Sequence, residues 1–213
     1  MKRLFLFLAL SICVLMISAQ IPAKVNEIMQ NVDRVMGHSE NGSTIKMTMN
    51  VSMLVSMGSV KITSYDKGDK SYSVVDGSIL GKKINQVTGD DGIQHWEYDS
   101  LTDSLIISKS KEVKEKGEYD LDLDMSEDYR KASLKEKKDY YEITFTEPID
   151  KKDTPSKTEL KIRKNDYMFM EMTAKMGAIK ITMKLDDIKM SVSDEQVFVF
   201  DKSKFPTAKI EYK

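Results

Sequence analysis

Apolar and polar residues alternate through residues 44–57. Ile45, Met47, Met49, Val51, Met53, Val55 and Met57 share one parity, and Thr44, Lys46, Thr48, Asn50, Ser52 and Ser56 share the other, with Leu54 the one apolar intruder. Period two predicts a strand with one dry face and one wet face. A second such stretch covers residues 168–176, where Met168, Met170, Met172, Ala174 and Met176 keep parity. After Gly177, Ile179, Ile181, Met183 and Leu185 do the same. Between the two lie short strand patterns at 60–63, 71–75, 79–87, 93–98 and 104–108, separated by Gly- or Asp-bearing breaks at 57–59, 66–69, 76–77 and 88–92. Breaks of this chemistry between β-rich runs predict an antiparallel meander. Further strands are expected at 140–145, 158–163, 188–192 and 197–200, with Asp186-Asp187 as a hairpin-like break and 147–157, which holds Pro148 and Pro155, as a long loop. Residues 109–117 and 120–132 are charged and read as an exposed connection carrying one or two short helices.

One segment has a different period. In residues 22–36 the apolar positions are Val25, Ile28, Met29, Val32, Val35 and Met36, the spacing of a single helical face. Pro22 suits a first turn and Gly37 a C-terminal cap, so a helix of about four turns is expected. The chain thus reads as α+β, with one amphipathic helix ahead of many antiparallel strands.

The ends and the composition refine this picture. Lys2 and Arg3 precede the apolar run 4–17 and the small pair Ser18-Ala19, which is the pattern of a signal peptide, with cleavage expected after Ala19. Residues 20–213 are then expected to form one exported domain. The only cysteine, Cys13, lies inside the apolar run, where it also raises lipidation as an alternative, although Ile12 stands where a small residue would be wanted. Removal of Cys13 leaves a mature chain without thiols, which excludes disulfides, thiolate metal sites and cysteine nucleophiles. Charge is balanced, 33 Lys+Arg against 34 Asp+Glu in 213 residues, so nothing in the composition points to nucleic acid or to an anionic membrane surface.

Catalytic patterns are poor. Only His38 and His95 are available, and neither sits in a nucleophile elbow. His95 reads as a solvent-facing or hydrogen-bonded histidine on a strand. The run Asp120-Leu121-Asp122-Leu123-Asp124 starts like a calcium loop but has Met125 and Lys131 where that loop requires Gly and Glu. No resident metal or cofactor is expected. The methionines are therefore the informative residues. Their thioethers could take copper(I), or they could fill a solid core, or they could line a cavity that accepts apolar ligands of variable shape, which unbranched Met suits better than Val or Ile.

The order of elements carries a resemblance. A signal peptide, a helix opening on Ala23-Lys24-Val25-Asn26-Glu27-Ile28, a long first strand, then Gly77-Ser78-Ile79-Leu80-Gly81-Lys82-Lys83-Ile84 and His95-Trp96-Glu97-Tyr98-Asp99-Ser100 resemble the LolA-like periplasmic lipoprotein carriers. The ending Val197-Phe198-Val199-Phe200-Asp201 followed by Phe205-Pro206-Thr207-Ala208 is similar to that group too. The resemblance implies a curved, unclosed antiparallel half-barrel whose open side is covered by the N-terminal helix and short helices. It further implies a monomeric, non-enzymatic periplasmic carrier for the acyl chains of lipoproteins or other lipids, served by an inner-membrane release complex or an outer-membrane acceptor. The ligand wall would be Val25, Met29, Val32 and Met36 of the helix with Met47, Met49, Val51, Met53, Val55, Met57, Trp96, Met168, Met170, Met172, Ile181 and Met183 of the sheet. The arginine that latches the carrier's lid from an early strand has only lysines in its place here, such as Lys46 and Lys61. The alternative on the same scaffold is a cell-envelope interaction or sensory protein with no lipid cargo.

Overall fold

The computed structural model describes residues 21–36, 41–110, 125, 127–150, 152 and 154–213. The expected signal peptide and most of the expected middle connection lie outside the described residues. Among the described residues one helix, α1 (Ala23–Met36), precedes β1 (Ser43–Ser52), β2 (Ser56–Lys67), β3 (Lys70–Ile79), β4 (Lys82–Asp90), β5 (Gln94–Asp99) and β6 (Ser104–Lys109). After these come β7 (Tyr129–Glu136), β8 (Tyr140–Pro148), β9 (Lys157–Arg163), β10 (Phe169–Met176), β11 (Ile179–Lys189) and β12 (Lys209–Tyr212). Two 3-10 turns, Glu195–Phe198 and Lys202–Lys204, separate β11 from β12.

The strands form one sheet in the order β12-β6-β5-β4-β3-β2-β1-β11-β10-β9-β8-β7. Each half is a meander of hairpins, and the pairing of β1 with β11 joins them. Every pair is antiparallel except β12 with β6, and the end strands β7 and β12 do not meet, so the curved sheet is an unclosed half-barrel. Three register shifts favour the curl: Asp186 is the extra residue between β11 and β1, Met57 between β2 and β1, and Met170 between β10 and β9. An extra residue on one strand of a pair bends the ladder and raises its twist.

The helix forms where its spacing predicts. Val25 N–H donates to the Pro22 carbonyl at 2.8 Å, starting the first turn, and Val25, Ile28, Met29 and Val32 are its buried positions. They pack on Ile143, Phe145, Leu160, Ile162 and Phe169 of β8–β10. Apolar residues repeating at this spacing place one continuous stripe against the sheet.

A second core forms elsewhere. Val87, Trp96, Leu105, Ile107 and Phe205 are buried together, with Tyr72, Val74, Tyr98 and Phe200 against them. In the uninterrupted registers of β2 through β6, Val74 stands opposite Val87, Val87 opposite Tyr98 and Tyr98 opposite Leu105. The positions facing α1 on these strands have the other parity, Val75 on β3 and Ile84 on β4. The C-terminal segment therefore covers one face of the sheet at one half, and α1 covers the other face at the other half. Ring centroids of Trp96 and Phe200 lie 5.2 Å apart, and those of Tyr98 and Phe205 4.8 Å apart.

Several expectations are corrected. Residues 44–57 are not one strand, because the chain reverses at Met53-Leu54-Val55. A short reversal that preserves odd-even parity is invisible to an alternation pattern. The predicted breaks at 57–59 and 76–77 are strand interior. Gly77 stands mid-strand because a Cβ there would collide with the Ser59 carbonyl oxygen, and the hairpin instead turns at Leu80-Gly81, both with positive φ. Asp186-Asp187 is a bulge within β11 rather than a break. Residues 197–200 are no strand: Asp194 Oδ1 accepts from the Gln196 N–H at 2.9 Å and starts a 3-10 turn. Residues 129–132 belong to β7, not to an exposed connection.

Gly89 sits beneath the indole of Trp96, where a Cβ would run into the ring. Gly89→Ala overpacks the second core and is expected to destabilise the fold by about 1–3 kcal/mol, read as a lower urea midpoint at unchanged slope.

Candidate functional site

Cross-strand register turns single residues into rows. On the face that carries α1, one row runs Leu134–Ile143–Leu160–Met172–Met183–Met49–Val60–Gly77–Ile84 across nine strands, each residue directly opposite the next. A second runs Ala132–Phe145–Thr158–Ala174–Ile181–Val51–Gly58–Ile79, and Leu185–Met47–Ile62–Val75 lies on the far side of the first. Directly opposed side chains on one face have Cβ atoms about 4.5–5.5 Å apart, close enough to form a continuous surface.

Burial changes along the row. Ile143 and Leu160 lie under α1 and are fully buried, whereas Met172, Met183 and Met49 are half-buried. The apolar stripe continues past the helix as an open face, with Val51, Ile181, Ile62, Val75 and Ile84 also half-buried around it. Met47 and Val60 are the covered exceptions. The thioethers of Met172, Met183 and Met49 are neighbours in one row, flanked by Leu160 and Val60 rather than by harder donors. Among the described residues no three His, Cys, Asp or Glu side chains gather in a metal-ligating group.

The expected wall residues divide as follows. Met47, Met49, Val51, Met172, Ile181 and Met183 share the stripe. Val25, Met29 and Val32 are on the helix that borders it but are consumed in its core, with Met36 partly buried beside them. Met53 and Val55 are exposed at the β1–β2 turn, and Met57 is the bulge residue. Met168 precedes β10, and Met170 is the extra bulge residue, so the parity of 168–176 shifts and Phe169, not Met170, enters the core. Trp96 is buried, but on the opposite face. Sequence reading missed Ile62, Val75 and Ile84, although the alternation Val60-Lys61-Ile62-Thr63 carried the signal for the first. Lys46 and Lys61 are both exposed on the opposite face, so neither is placed to latch α1.

His95 is buried, its Nε2 3.0 Å from Glu97 Oε1 and its Nδ1 3.6 Å from Asp90 Oδ2. It is the hydrogen-bonded strand histidine expected. Tyr129 closes one end of the helix core: its hydroxyl donates to the Pro155 carbonyl at 2.9 Å and lies 2.7 Å from Thr158 Oγ1. Burial pushes the Tyr129 phenol above its ordinary value, and does the same for Tyr72 and for Tyr98, where Asp103 adds to it.

No family model and no curated protein matches the chain. Solved structures do. Mycobacterium tuberculosis lipoprotein LppX is 12% identical with a TM-score of 0.52, over 81% of this chain and 98% of its own. An uncharacterized conserved protein from Thermus thermophilus is 14% identical with a TM-score of 0.51, over 89% and 99%. A LolA superfamily protein, NE2245 from Nitrosomonas europaea, matches at 11% identity and a TM-score of 0.39, over 82% and 97%. At these identities the likeness concerns the fold alone, the one shared with LppX and the Thermus thermophilus protein.

The raised tyrosines give a pH dependence. A phenol whose folded pKa exceeds its unfolded value contributes stability that is complete below about pH 10 and is lost as pH rises through the folded value. Lys161, raised by the hydrogen bond it donates to Glu171, has the same sign. Denaturation midpoints should therefore fall between about pH 10 and 12, with a shallower fall in Tyr98→Phe.

Proposed function

We propose that this chain is an exported, non-enzymatic carrier that holds the acyl chains of lipoproteins or other lipids against the methionine stripe beside α1. The observation that carries the reading is the burial step along the row Leu160–Met172–Met183–Met49. The same apolar surface that is sealed under the helix continues half-exposed through Met172, Met183 and Met49 before it closes again at Val60. A contiguous apolar face left half-open on a soluble protein favours association with an apolar ligand. Each methylene laid on it and removed from water contributes about 0.8 kcal/mol, so a chain of about ten methylenes would supply up to roughly 8 kcal/mol before ordering costs. Unbranched methionines reshape to chains of differing length.

The LolA-like fold supports the same reading. On this proposal residues 20–213 are a single periplasmic, monomeric domain, and transfer partners meet the open side of the half-barrel. His95 lies on the face of the sheet that carries the stripe, but it is enclosed by Asp90 and Glu97 near the far end of β5.

Native mass spectrometry of the mature chain with a fatty acid or a triacylated peptide should show a one-to-one adduct. Met49→Asp or Met183→Asp should weaken it by about tenfold or more, because a carboxylate would be desolvated under the ligand. Asn50→Asp, exposed on the opposite face between Ser59 and Thr182, should leave it unchanged. Equal loss from both kinds of variant, or no adduct with any apolar ligand, would remove the stripe as the site.

A further inference from the structure

Three hairpins adjacent in the sheet, β3–β4, β1–β2 and β10–β11, all turn at the same end. Turns of this kind ordinarily carry Gly, Asn, Asp or Pro. Here two tips keep a glycine, Gly81 and Gly177, but the tips also present Leu80, then Met53, Leu54 and Val55, then Met176 and Ile179, and every one of these is exposed: Leu54 is 98% exposed, Val55 73% and Leu80 68%. Turns at the opposite end of the sheet read Gly68-Asp69, Asp91-Gly92, Lys137-Lys138-Asp139 and Lys164-Asn165-Asp166, with Ile93 an apolar exception. The apolar end is a property of one rim.

The tips are braced rather than loose. Leu80 N–H donates to the Met57 carbonyl at 2.7 Å, tying the β3–β4 tip to the start of β2, and Ser52 Oγ donates to the Lys180 carbonyl at 3.4 Å, tying the β1–β2 tip to the β10–β11 tip. Leu80 also holds φ at +52°, a left-handed conformation that Gly or Asn adopts at lower cost than a γ-branched apolar residue. The position thus combines a left-handed backbone with an exposed leucine.

Immediately below the tips the charge is basic. Lys82 and Lys83 open β4, and Lys157, Lys175 and Lys180 stand directly opposite one another across β9, β10 and β11. Like charges so paired repel. The Glu159 carboxyl beside them is held below its ordinary range by its hydrogen bond from Lys157, with Lys175 and Lys180 adding to the effect, and Glu147 is taken up by Lys131. Neighbouring hairpins are about 10 Å apart, so the three tips span about 20 Å, several lipid headgroups wide.

We propose that this rim is a membrane-docking edge, on which the apolar hairpin tips enter the headgroup layer of an anionic bilayer while the lysine collar meets its phosphates. Apolar side chains backed by cations are the combination that binds an anionic membrane surface reversibly. The docking edge is separate from the acyl-chain stripe and stands whether or not that stripe holds a lipid.

The test is co-flotation of the purified full chain with phosphatidylglycerol–phosphatidylethanolamine vesicles, compared with pure phosphatidylcholine vesicles. The chain should float with the anionic vesicles and at least about tenfold less with the neutral ones, and binding should fall at about 1 M salt, where the screening length is about 3 Å. Leu54→Glu and Leu80→Glu should each lose about tenfold in binding, and Lys82→Glu/Lys83→Glu should lose binding chiefly at low salt. Leu54 and Leu80 are solvent-exposed, so thermal midpoints should be kept, and fatty-acid adducts of Leu54→Glu should match those of the parent chain. Loss of the adduct in the parent with retained flotation would strike the carrier reading alone. Absence of flotation, flotation of the Leu54→Glu and Leu80→Glu variants equal to the parent, or a self-associating parent whose dimer Leu54→Glu abolishes, would overturn the docking edge.

Discussion

The pairing of β1 with β11 joins two meanders that are built from local hairpins, β12 alone being added by a long-range parallel pairing with β6. Its partners lie about as far apart in sequence as the fold allows, Thr44 opposite Lys189 and Ser52 opposite Lys180. The ladder sets Met49 against Met183 and thereby makes two separate apolar faces into one row. A one-residue slip here would turn every methionine of β1 to the wrong side. The bulge at Asp186 fixes the register in part, since Thr48 Oγ1 donates to the Asp186 carboxylate at 2.6 Å and pins the extra residue on the outer face.

From that constraint the distribution of cover follows. The helix, attached just ahead of β1, reaches over β8–β10, where Ile143, Phe145, Leu160 and Ile162 rise to meet it. The C-terminal segment, arriving from β11, passes behind β3–β6 and closes with β12 alongside β6, Ile210 opposite Leu105. The sheet is thus covered on alternate faces at its two halves, and the methionine stripe lies where neither cover reaches fully.

Much of this was legible in the sequence. Alternation identified the strands and the dry face of β1, period 3.6 identified α1, and Asp66-Lys67-Gly68-Asp69 marked a turn by its chemistry. What failed did so for physical reasons. The reversal at Met53-Leu54-Val55 uses no turn residue and preserves parity, so nothing local distinguishes it from strand. The bulge at Met170 exchanges that residue with Phe169, a choice made by the neighbouring strand through Ile162 opposite Phe169. The resemblance puts Trp96 in the ligand wall, yet which face it takes depends on registers carried from β1 to β5. The stripe itself was half legible: Met47, Met49, Met172 and Met183 were found from composition and parity, while Ile62, Val75 and Ile84 join it only through pairing.

The two buried clusters have a consequence for how the molecule comes apart. They share backbone hydrogen bonds through the sheet, but among the described residues they have no side chain in common, because they sit on opposite faces at opposite halves. Cooperative unfolding units follow packed cores. The two halves are therefore separable opening units hinged on β1 and β11, and the methionine stripe straddles the hinge. Amide protection should divide along that line, with the apolar row the place where one half's opening is first felt by the other.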